Sequence, residues 1–303
     1  MLTGTPVVTS TKDLAQQLRI MGRLDDFGGP RRFATRFCSK DTTDARLSEL
    51  NFLLWKTCYF RREKTLVLKE LPEKIREYRM VELTNRKEYD EAERNLIGYL
   101  KNYMAVDDTK LKRAMRATAM VKIGICRRLS AKGKLKEGVE VINEALAGGH
   151  KVIVFTAHKD TVKDLQRYFP KSVKVTGEDS PEVKQKSVDK FQNNPDCRVI
   201  VLNIKSGGVG ITLTAADIVL FLEYPWTASD CDQCECRAYR NGQKNAVTCI
   251  YLVGQNTFDE RMQELVQKER VSSSLITGAE YNEDEYVVKS AIKYLIKKND
   301  KNY

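Results

Sequence analysis

The chain has 303 residues, enough for two domains with a substantial hydrophobic core. Its formal net charge at pH 7 is +11, and residues 1–150 carry ten of these eleven excess positive charges. No apolar run approaches the ~20 residues of a membrane span, and the N-terminus lacks the order of a signal peptide. The eight cysteines have no disulfide-framework spacing. We therefore expect neither a membrane protein nor a secreted one, but an intracellular protein with reduced thiols.

The first half of the chain is predicted to be mainly helical. It opens with a strand end and turn at residues 1–6, and a second turn is expected at 27–30. A strand is predicted at 78–83, where apolar and polar residues alternate. Helices are predicted at 11–21, in a helix-rich tract from about 31 to 62, and at 85–104 and 109–129.

A basic tract lies in the last of these helices. Residues 110–136 contain ten Lys or Arg and no acidic residue, together with apolar residues at helical spacing. Such a helix would pack on one side and present cations on the other. This pattern favours a polyanion-binding surface, with a merely solvated face as the alternative.

From about residue 136 the chain alternates between helices and short apolar strands. Apolar runs of this length between amphipathic helices indicate an α/β fold with a parallel sheet covered by helices on both faces. Strands are predicted at 152–155, 173–175, 199–202, 218–221 and 248–253, and helices at 137–147, 160–169 and 181–191.

A Q-x-x-x-R-x-x-R-x-G-Q phrase is formed by Gln233, Arg237, Arg240, Gly242 and Gln243. Arginines three residues apart share a helix face, so we expect both on one helix that ends near the glycine. Two forked guanidiniums in fixed geometry suit the neutralisation of a polyphosphate. An exposed arginine-bearing helix is the alternative.

Three predicted strand ends carry candidate binding residues. The glycine-rich segment 206–210 follows one strand, and ligands of parallel α/β sheets bind at the carboxyl ends of strands. Thr156 and His158 follow a second strand, and Trp226 follows a third. We expect these loops and the arginine helix to meet at one edge of the sheet.

The cysteines near the arginine phrase invite comparison with a zinc site. Cys231, Cys234 and Cys236 form C-x-x-C-x-C, and Cys249 follows. No paired second C-x-x-C is present, and the spacing falls inside the arginine phrase. We expect no metal site here.

In order and spacing, these motifs resemble the Swi/Snf-type helicase-like ATPases. The matching segments are 2–6 (L-T-G-T-P), 155–156 (F-T), 207–217 (G-G-V-G-I-T-L-T-A-A-D), Trp226 and 233–243, with 61–64 and 71–74 similar to the inter-lobe block of the family. The resemblance runs from residue 1 to about 277, and the compact layout is most similar to the annealing-helicase and bacterial or phage branch.

The resemblance implies two RecA-like lobes that clamp ATP and move along duplex DNA. It divides this chain into the end of the first lobe (1–24), a helical protrusion with linker (25–75), a second, basic protrusion (76–135), the second lobe (136–278) and a C-terminal brace helix (279–303). The fold implied is thus a RecA-like C-terminal helicase lobe with an N-terminal helix-rich region.

Residue roles follow from the same resemblance. Arg237 and Arg240 would be arginine fingers, catalytic in ATP hydrolysis. The remaining assignments are Gln233, Gly208, Gly210 and Gln243 at the nucleotide, Thr156, His158, Ser206, Gly207 and Thr212 at DNA, and Thr3, Thr5 and Trp226 in coupling. For Trp226 core packing is the alternative, and for Thr156 a strand-end cap.

Three positions depart from the family pattern. Tyr239 stands where histidine is usual, Thr212 replaces an asparagine, and Thr227 with Ala228 replaces the usual Asn-Pro. These changes affect the expected coupling between the sites, but none removes a charge that the chemistry needs.

The sequence contains no G-x-x-x-x-G-K-[ST] phosphate loop and no Asp-Glu-x-His box. We therefore expect the C-terminal part of a longer motor, which uses ATP with Mg²⁺, whereas this chain alone binds neither and hydrolyses no ATP. The expected partners are the double-stranded DNA backbone and the N-terminal lobe, without a membrane, and the chain is expected to be a monomer. It would act in the cytoplasm or nucleoid of a bacterium or phage host, or in a eukaryotic nucleus. An RNA-directed helicase and a non-catalytic DNA-binding module are the alternatives.

Overall fold

The computed structural model describes residues 11–39, 43–60, 67–106, 109–207 and 210–276. Two compact units are present. The helical unit contains the described residues up to Val67, with Thr227–Ser229 and the described residues from Glu264 onward. The sheet unit contains the described residues of Leu68–Trp226 and Asp230–Gln263. The predicted strand end at 1–6, including Thr3 and Thr5, and the predicted C-terminal helix lie outside the described residues.

The helical unit begins with three short α-helices around an aromatic core. These are α1 (Thr11–Ile20), α2 (Gly29–Phe37) and α3 (Asp44–Thr57), with a 3₁₀ turn at Leu24–Phe27. Phe33 lies edge-on to Phe37, with ring centroids 5.4 Å apart, and both side chains are buried. Gly28 has φ +87°, a left-handed conformation that glycine adopts without strain, so it ends the 3₁₀ turn and starts α2.

The described strands of the sheet unit form one six-stranded, all-parallel sheet in the order β1-β6-β5-β2-β4-β3. The strands are β1 (Lys74–Val81), β2 (Val152–Thr156), β3 (Val173–Val175), β4 (Val199–Asn203), β5 (Ile218–Phe221) and β6 (Val247–Gly254). Every residue of β2 is buried, as expected for a central strand covered on both faces. The predicted α/β class with a parallel sheet is confirmed.

The described residues contain eight further helices between and after the strands, and the first five of these lie close to their predicted positions. They are α4 (Arg86–Ala105), α5 (Thr109–Gly133), α6 (Leu135–Ala147), α7 (Lys159–Tyr168), α8 (Pro181–Asn193), the short α9 (Ile204–Gly207), α10 (Ala228–Glu235) and α11 (Phe258–Ile276). At the start of α8 the Ser180 hydroxyl accepts a hydrogen bond from the amide of Val183, and Pro181 occupies the first helical position. None of the helices in the described ranges is both long and apolar enough to cross a bilayer.

The position of β1 differs from the sequence prediction. A strand was expected at 78–83, within the helical region 76–135, and the second lobe was expected to start at 136. Instead Lys74–Val81 pairs in parallel with β6 and forms an edge of the same sheet. Charged residues are tolerated on an edge strand, which is why β1 lacks the apolar run of the central strands. The other predicted domain boundaries stay predictions.

The basic tract does not form one solvent-facing stripe. Lys134 is fully buried against Asp259, and Arg127 is also buried. Arg128 and Lys132 are exposed and lie near acidic side chains. The structure thus turns two cations of this tract inward, where they hold elements together, and the surface available to a polyanion is smaller than the sequence indicates.

Candidate functional site

Arg237 and Arg240 follow α10 rather than lying on it. The helix ends at Glu235, so the prediction of one helix through both arginines was wrong. The Arg237 carbonyl accepts a hydrogen bond from the Leu213 amide, 2.9 Å away, instead of continuing a helical ladder. Gly242 then adopts φ +96°. The helix ends where the amides of Arg237 and Ala238 bond to carbonyls three residues earlier instead of four.

The two arginine side chains nevertheless converge. Nη1 of Arg237 and Nη1 of Arg240 both donate to the Ile211 carbonyl, at 3.4 and 3.1 Å. Arg240 Nη1 also donates to the Thr212 hydroxyl at 2.9 Å. Burial, and then the charge of Arg240, lowers the pKa of Arg237, which stays a cation at neutral pH. The turn thus concentrates two like charges, an arrangement that favours an anionic group.

Glu235 stands immediately before this turn, with a fully buried side chain. It accepts hydrogen bonds from Lys74 Nζ (2.6 Å), from Arg76 Nε and Nη2 (2.6 and 2.7 Å) and from the Tyr251 hydroxyl (2.7 Å). Burial alone would raise the pKa of Glu235, but the bonds from Arg76 and the charges of Lys74 and Arg76 outweigh it and lower the pKa to about 2. Sequence analysis missed this residue.

The other predicted nucleotide residues differ in how they are placed. Gln243 is buried, and its amide nitrogen donates to the carbonyls of Ala216 and Ala238. Its oxygen accepts hydrogen bonds from two backbone amides, so the side chain makes its hydrogen bonds within the protein. Gln233 is half-buried in α10, and Gly210 is exposed with φ +52°. Gly208 lies outside the described residues.

The ends of β2 and β5 are joined by a buried carboxylate. Glu223, just after β5, accepts from the Thr156 hydroxyl at 3.0 Å and from the Ala157 amide. Burial raises the pKa of Glu223. Thr156 is itself fully buried, which favours the strand-end cap over a direct DNA contact. Sequence analysis missed Glu223, although an acidic residue at the end of an apolar strand is a recognisable signal.

Trp226 contacts the basic helix α5. The Arg127 guanidinium carbon lies 3.9 Å from the centroid of the tryptophan ring, and Arg127 Nη2 donates to the Tyr224 carbonyl. Trp226 is half-buried, so part of its ring packs against the protein and part is exposed to solvent. The contact connects α5 to the loop after β5, and the predicted coupling role stays a prediction.

His158 lies beside these groups at the end of β2. Burial, followed by the charges of Arg127 and Arg128, lowers its pKa to about 4, and Asp160 only partly opposes this effect. Its Nε2 is 4.0 Å from the Glu223 carboxylate. The imidazole is therefore neutral at pH 7 and does not present a cation to a phosphate.

This shift predicts acid sensitivity. The pKa of His158 is about 4 in the folded chain and about 6.5 when unfolded, so between these values the unfolded chain binds an extra proton. Stability should fall as the pH drops through this window, by about 2–3 kcal/mol near pH 4.5. Denaturant unfolding at pH 7 and 4.5 should show a smaller loss for His158→Gln than for the wild type. His150→Gln is the matched control, and an equal loss in wild type and His158→Gln would contradict the assignment.

The remaining predicted residues are only partly described. Gly207 ends α9, directly after β4, whereas the Ser206 side chain lies outside the described part. Thr212 is half-buried and bound by Arg240. The structure does not test whether these residues contact DNA, so their roles stay predictions.

The cysteines do not assemble a metal site within the described ranges, where no group of three potential ligands could hold a metal ion. Cys231, Cys234 and Cys249 are buried, and burial raises the pKa of Cys234 and Cys249 well above the usual range. The expectation that no metal binds stays a prediction.

An aromatic row crosses the sheet near these strand ends. Phe155, Phe221, Tyr251 and Tyr78 occupy one register row on neighbouring strands. Successive ring centroids are 5.2, 4.2 and 5.4 Å apart. Since the Tyr251 hydroxyl reaches Glu235, the row connects the Thr156 end of the site to the arginine turn.

Comparison with protein families and curated proteins gives consistent results. A model of the helicase conserved C-terminal domain matches residues 134–242. The chain is 31% identical over 274 residues to the SWI/SNF-related matrix-associated actin-dependent regulator of chromatin subfamily A-like protein 1 of Drosophila melanogaster, covering 86% of this chain and 35% of that protein. It is 30% identical over 295 residues to an uncharacterized ATP-dependent helicase of Mycoplasma pneumoniae, covering 93% of this chain and 28% of that protein.

Solved structures agree on the fold. The Sulfolobus solfataricus SWI2/SNF2 ATPase core in complex with dsDNA matches with TM-score 0.59 and 23% identity, covering 89% of this chain and 60% of that one. The C-terminal part of the Fun30 ATPase domain matches with TM-score 0.58 and 16% identity, covering 74% of this chain and 99% of that one. At these identities the likeness is one of fold, and it agrees with the RecA-like sheet predicted from the sequence.

Proposed function

Because the chain belongs to the Swi/Snf-type helicase-like ATPases and contains their C-terminal lobe, we propose that it is the C-terminal half of an ATP-dependent double-stranded DNA translocase. The chain spans 35% and 28% of the length of the two curated relatives described above, so the activity of the whole motor is part of the proposal.

One observation carries the proposal: Arg237 and Arg240 point to the same carbonyl, that of Ile211, beside the glycine-rich loop. The segment directly after Gly210 and the arginine phrase, separate in sequence, are thus in contact in the fold. Two adjacent guanidiniums suit the charge that spreads over the γ-phosphate oxygens during phosphoryl transfer. In the proposed motor these arginines complete an ATP site on the N-terminal lobe.

Other roles are assigned by position. Gln233, Gly208 and Gly210 would lie on the nucleotide side, and Gln243 would act indirectly by holding the backbone near Ala216 and Ala238. The phosphate loop and the Mg²⁺ ligands would come from the other lobe, since this sequence contains neither motif.

The DNA side would use the loops after β2 and β4. Ser206, Gly207 and Thr212 would approach backbone phosphates, and His158 would take part as a neutral hydrogen-bonding group. Thr156 would shape the loop through Glu223. Trp226, held by Arg127, would couple this side to the nucleotide side. The solved archaeal relative is a complex with dsDNA, which supports duplex DNA as the proposed ligand.

We expect weak, salt-sensitive binding of duplex DNA by the chain alone. With two or three phosphate contacts, affinity should fall about 10-fold or more between 50 and 200 mM salt. Fluorescence anisotropy with labelled duplex measures this. Lys205→Ala, which removes an exposed cation from α9, should reduce the salt slope by about one, whereas Lys186→Ala on α8 should leave it unchanged. A binding constant independent of salt would contradict the proposal.

ATPase assays separate the competing functions. The chain alone should show no turnover, and turnover should appear when the chain is joined to an N-terminal lobe and duplex DNA is added. Equal stimulation by RNA would favour an RNA-directed helicase, and DNA binding without turnover in the joined protein would favour a non-catalytic module. Measurable hydrolysis by the 303-residue chain would overturn the half-site assignment.

A further inference from the structure

Glu235 is connected to the arginine turn through its backbone as well as its side chain. Its carbonyl accepts from the amides of Ala238 and Tyr239, at 3.2 and 3.0 Å, and these bonds form the turn between Arg237 and Arg240. Its carboxylate is the buried acceptor for donors on β1 and β6. One residue therefore joins the turn to the sheet.

The partners of Glu235 are themselves held in place. Tyr251 lies in the aromatic row, 4.2 Å from the ring centroid of Phe221. Arg76 binds both carboxylate oxygens, and a bidentate pair fixes orientation as well as distance. The Glu235 carboxylate therefore accepts hydrogen bonds from donors whose positions are fixed by neighbouring strands.

Tyr239, one of the departures from the family pattern, belongs to the same cluster. Lys74 Nζ lies 5.4 Å from the centroid of the Tyr239 ring while it also binds Glu235. The aromatic ring between the two arginines is therefore attached to the cation that anchors the start of the turn. The turn is held at Glu235 and again at Tyr239.

We propose that Glu235 is a positioning residue, which fixes the 236–240 turn to β1 and β6 so that Arg237 and Arg240 face the Ile211 carbonyl. Its kinetic consequence rests on the proposed arginine-finger function, but its effect on the turn does not. Glu235 itself touches neither nucleotide nor DNA in this proposal.

Thiol labelling tests the effect on the turn in the chain itself. Cys236 is half-buried within the turn, and Cys58 is the other half-buried cysteine. In a Cys58→Ser background, Tyr251→Phe removes one hydrogen bond from Glu235 and keeps the aromatic ring. We expect a maleimide to label Cys236 about ten-fold faster in this variant, because a lost bond to a charged group favours local opening. Glu235→Gln should increase the rate at least as much.

Asp232→Asn is the matched control. Asp232 also pairs with Arg76, at 2.7 Å, but its side chain is 49% exposed and it lies within α10 before the turn. Its replacement should leave the labelling rate of Cys236 unchanged. Mass spectrometry should show Cys126 and Cys197, which are buried elsewhere, still protected.

The outcomes are distinct. Selective labelling of Cys236 in Glu235→Gln and Tyr251→Phe supports the proposal, and an unchanged rate in both overturns it. If Glu235→Gln also exposes Cys126 and Cys197, that variant has unfolded, and Tyr251→Phe decides by the same criterion.

Kinetics of the joined two-lobe protein tests the consequence for catalysis. Glu235→Gln should lower kcat at least ten-fold with the KM for ATP within about two-fold, and should cause no further loss in an Arg237→Ala background. If the losses of kcat in the two single variants add up in the double variant, Glu235 does not act through Arg237. If Arg237→Ala itself keeps wild-type kcat, the finger function has failed, and the labelling result still judges the positioning of the turn.

Discussion

Replacing Arg237 or Arg240 by alanine is expected to lower kcat for DNA-stimulated ATP hydrolysis in the two-lobe protein by about 10³–10⁵-fold. An arginine finger neutralises charge that develops only in the transition state, so its loss reduces kcat more than substrate binding. Both side chains converge on the Ile211 carbonyl, and each is expected to contribute to the same site. Steady-state turnover with saturating duplex DNA measures the effect.

Two comparisons make this prediction specific. Lysine at either position keeps the charge but loses the planar fork, so Arg237→Lys and Arg240→Lys should recover little activity. Arg167→Ala removes an arginine whose side chain is 79% exposed, and it should retain wild-type turnover. Duplex affinity of the chain alone should be unchanged by Arg237→Ala. Turnover within ten-fold of wild type in the alanine variants, or loss of DNA binding instead, would contradict the finger role.

The sheet and its connecting helices could be predicted because their signals are local. The buried strands β2, β4 and β5 appear as short apolar runs, and each lies within one or two residues of its predicted range. β1 was harder to predict, because an edge strand carries charges such as Arg76 and its sequence does not indicate which strand it pairs with. Its pairing with β6 depends on residues more than 160 positions apart.

The conformation of the residues predicted for the site could not be derived from local sequence patterns. The three-residue spacing of Arg237 and Arg240 fits a helix, yet the helix ends at Glu235, and the Arg237 carbonyl is bound by the Leu213 amide instead of a helical partner. Thr156 was expected at DNA, but its hydroxyl is used by Glu223. In both cases a tertiary partner, which no local pattern specifies, decides what the residue does.

Buried acidic residues are the largest omission of the sequence analysis. Glu223, Glu235 and Asp259 are each buried and each receives several hydrogen bonds from other elements. A carboxylate in an amphipathic sequence is ordinarily expected at the surface. Here these groups hold the loops near the sheet in place, and the cations paired with Glu235 and Asp259 contribute to the stability of the fold.

Replacing Lys134 by methionine is expected to destabilise the sheet unit by about 3–5 kcal/mol. The Lys134 ammonium is fully buried, donates to the Leu252 carbonyl at 2.8 Å and pairs with Asp259. Asp259 also accepts from the Ser130 hydroxyl at 2.7 Å. Removing the lysine leaves a buried carboxylate without its counter-charge, and its desolvation is then uncompensated. Denaturant unfolding followed by circular dichroism measures the change.

Variants of Lys134 and Asp259 separate the free-energy cost of breaking the ion pair from the net contribution of the pair to stability. Lys134→Met combined with Asp259→Asn should recover part of the loss, because neither residue then carries an uncompensated charge. Lys136→Met, whose side chain is 78% exposed, should change stability by less than about 0.5 kcal/mol. If Lys134→Met costs under about 1 kcal/mol, or the double variant is less stable than the single one, the buried pair does not stabilise the contact between the α5–α6 junction and the start of α11. A large loss with partial recovery would show that this lysine of the basic tract serves the fold and not DNA.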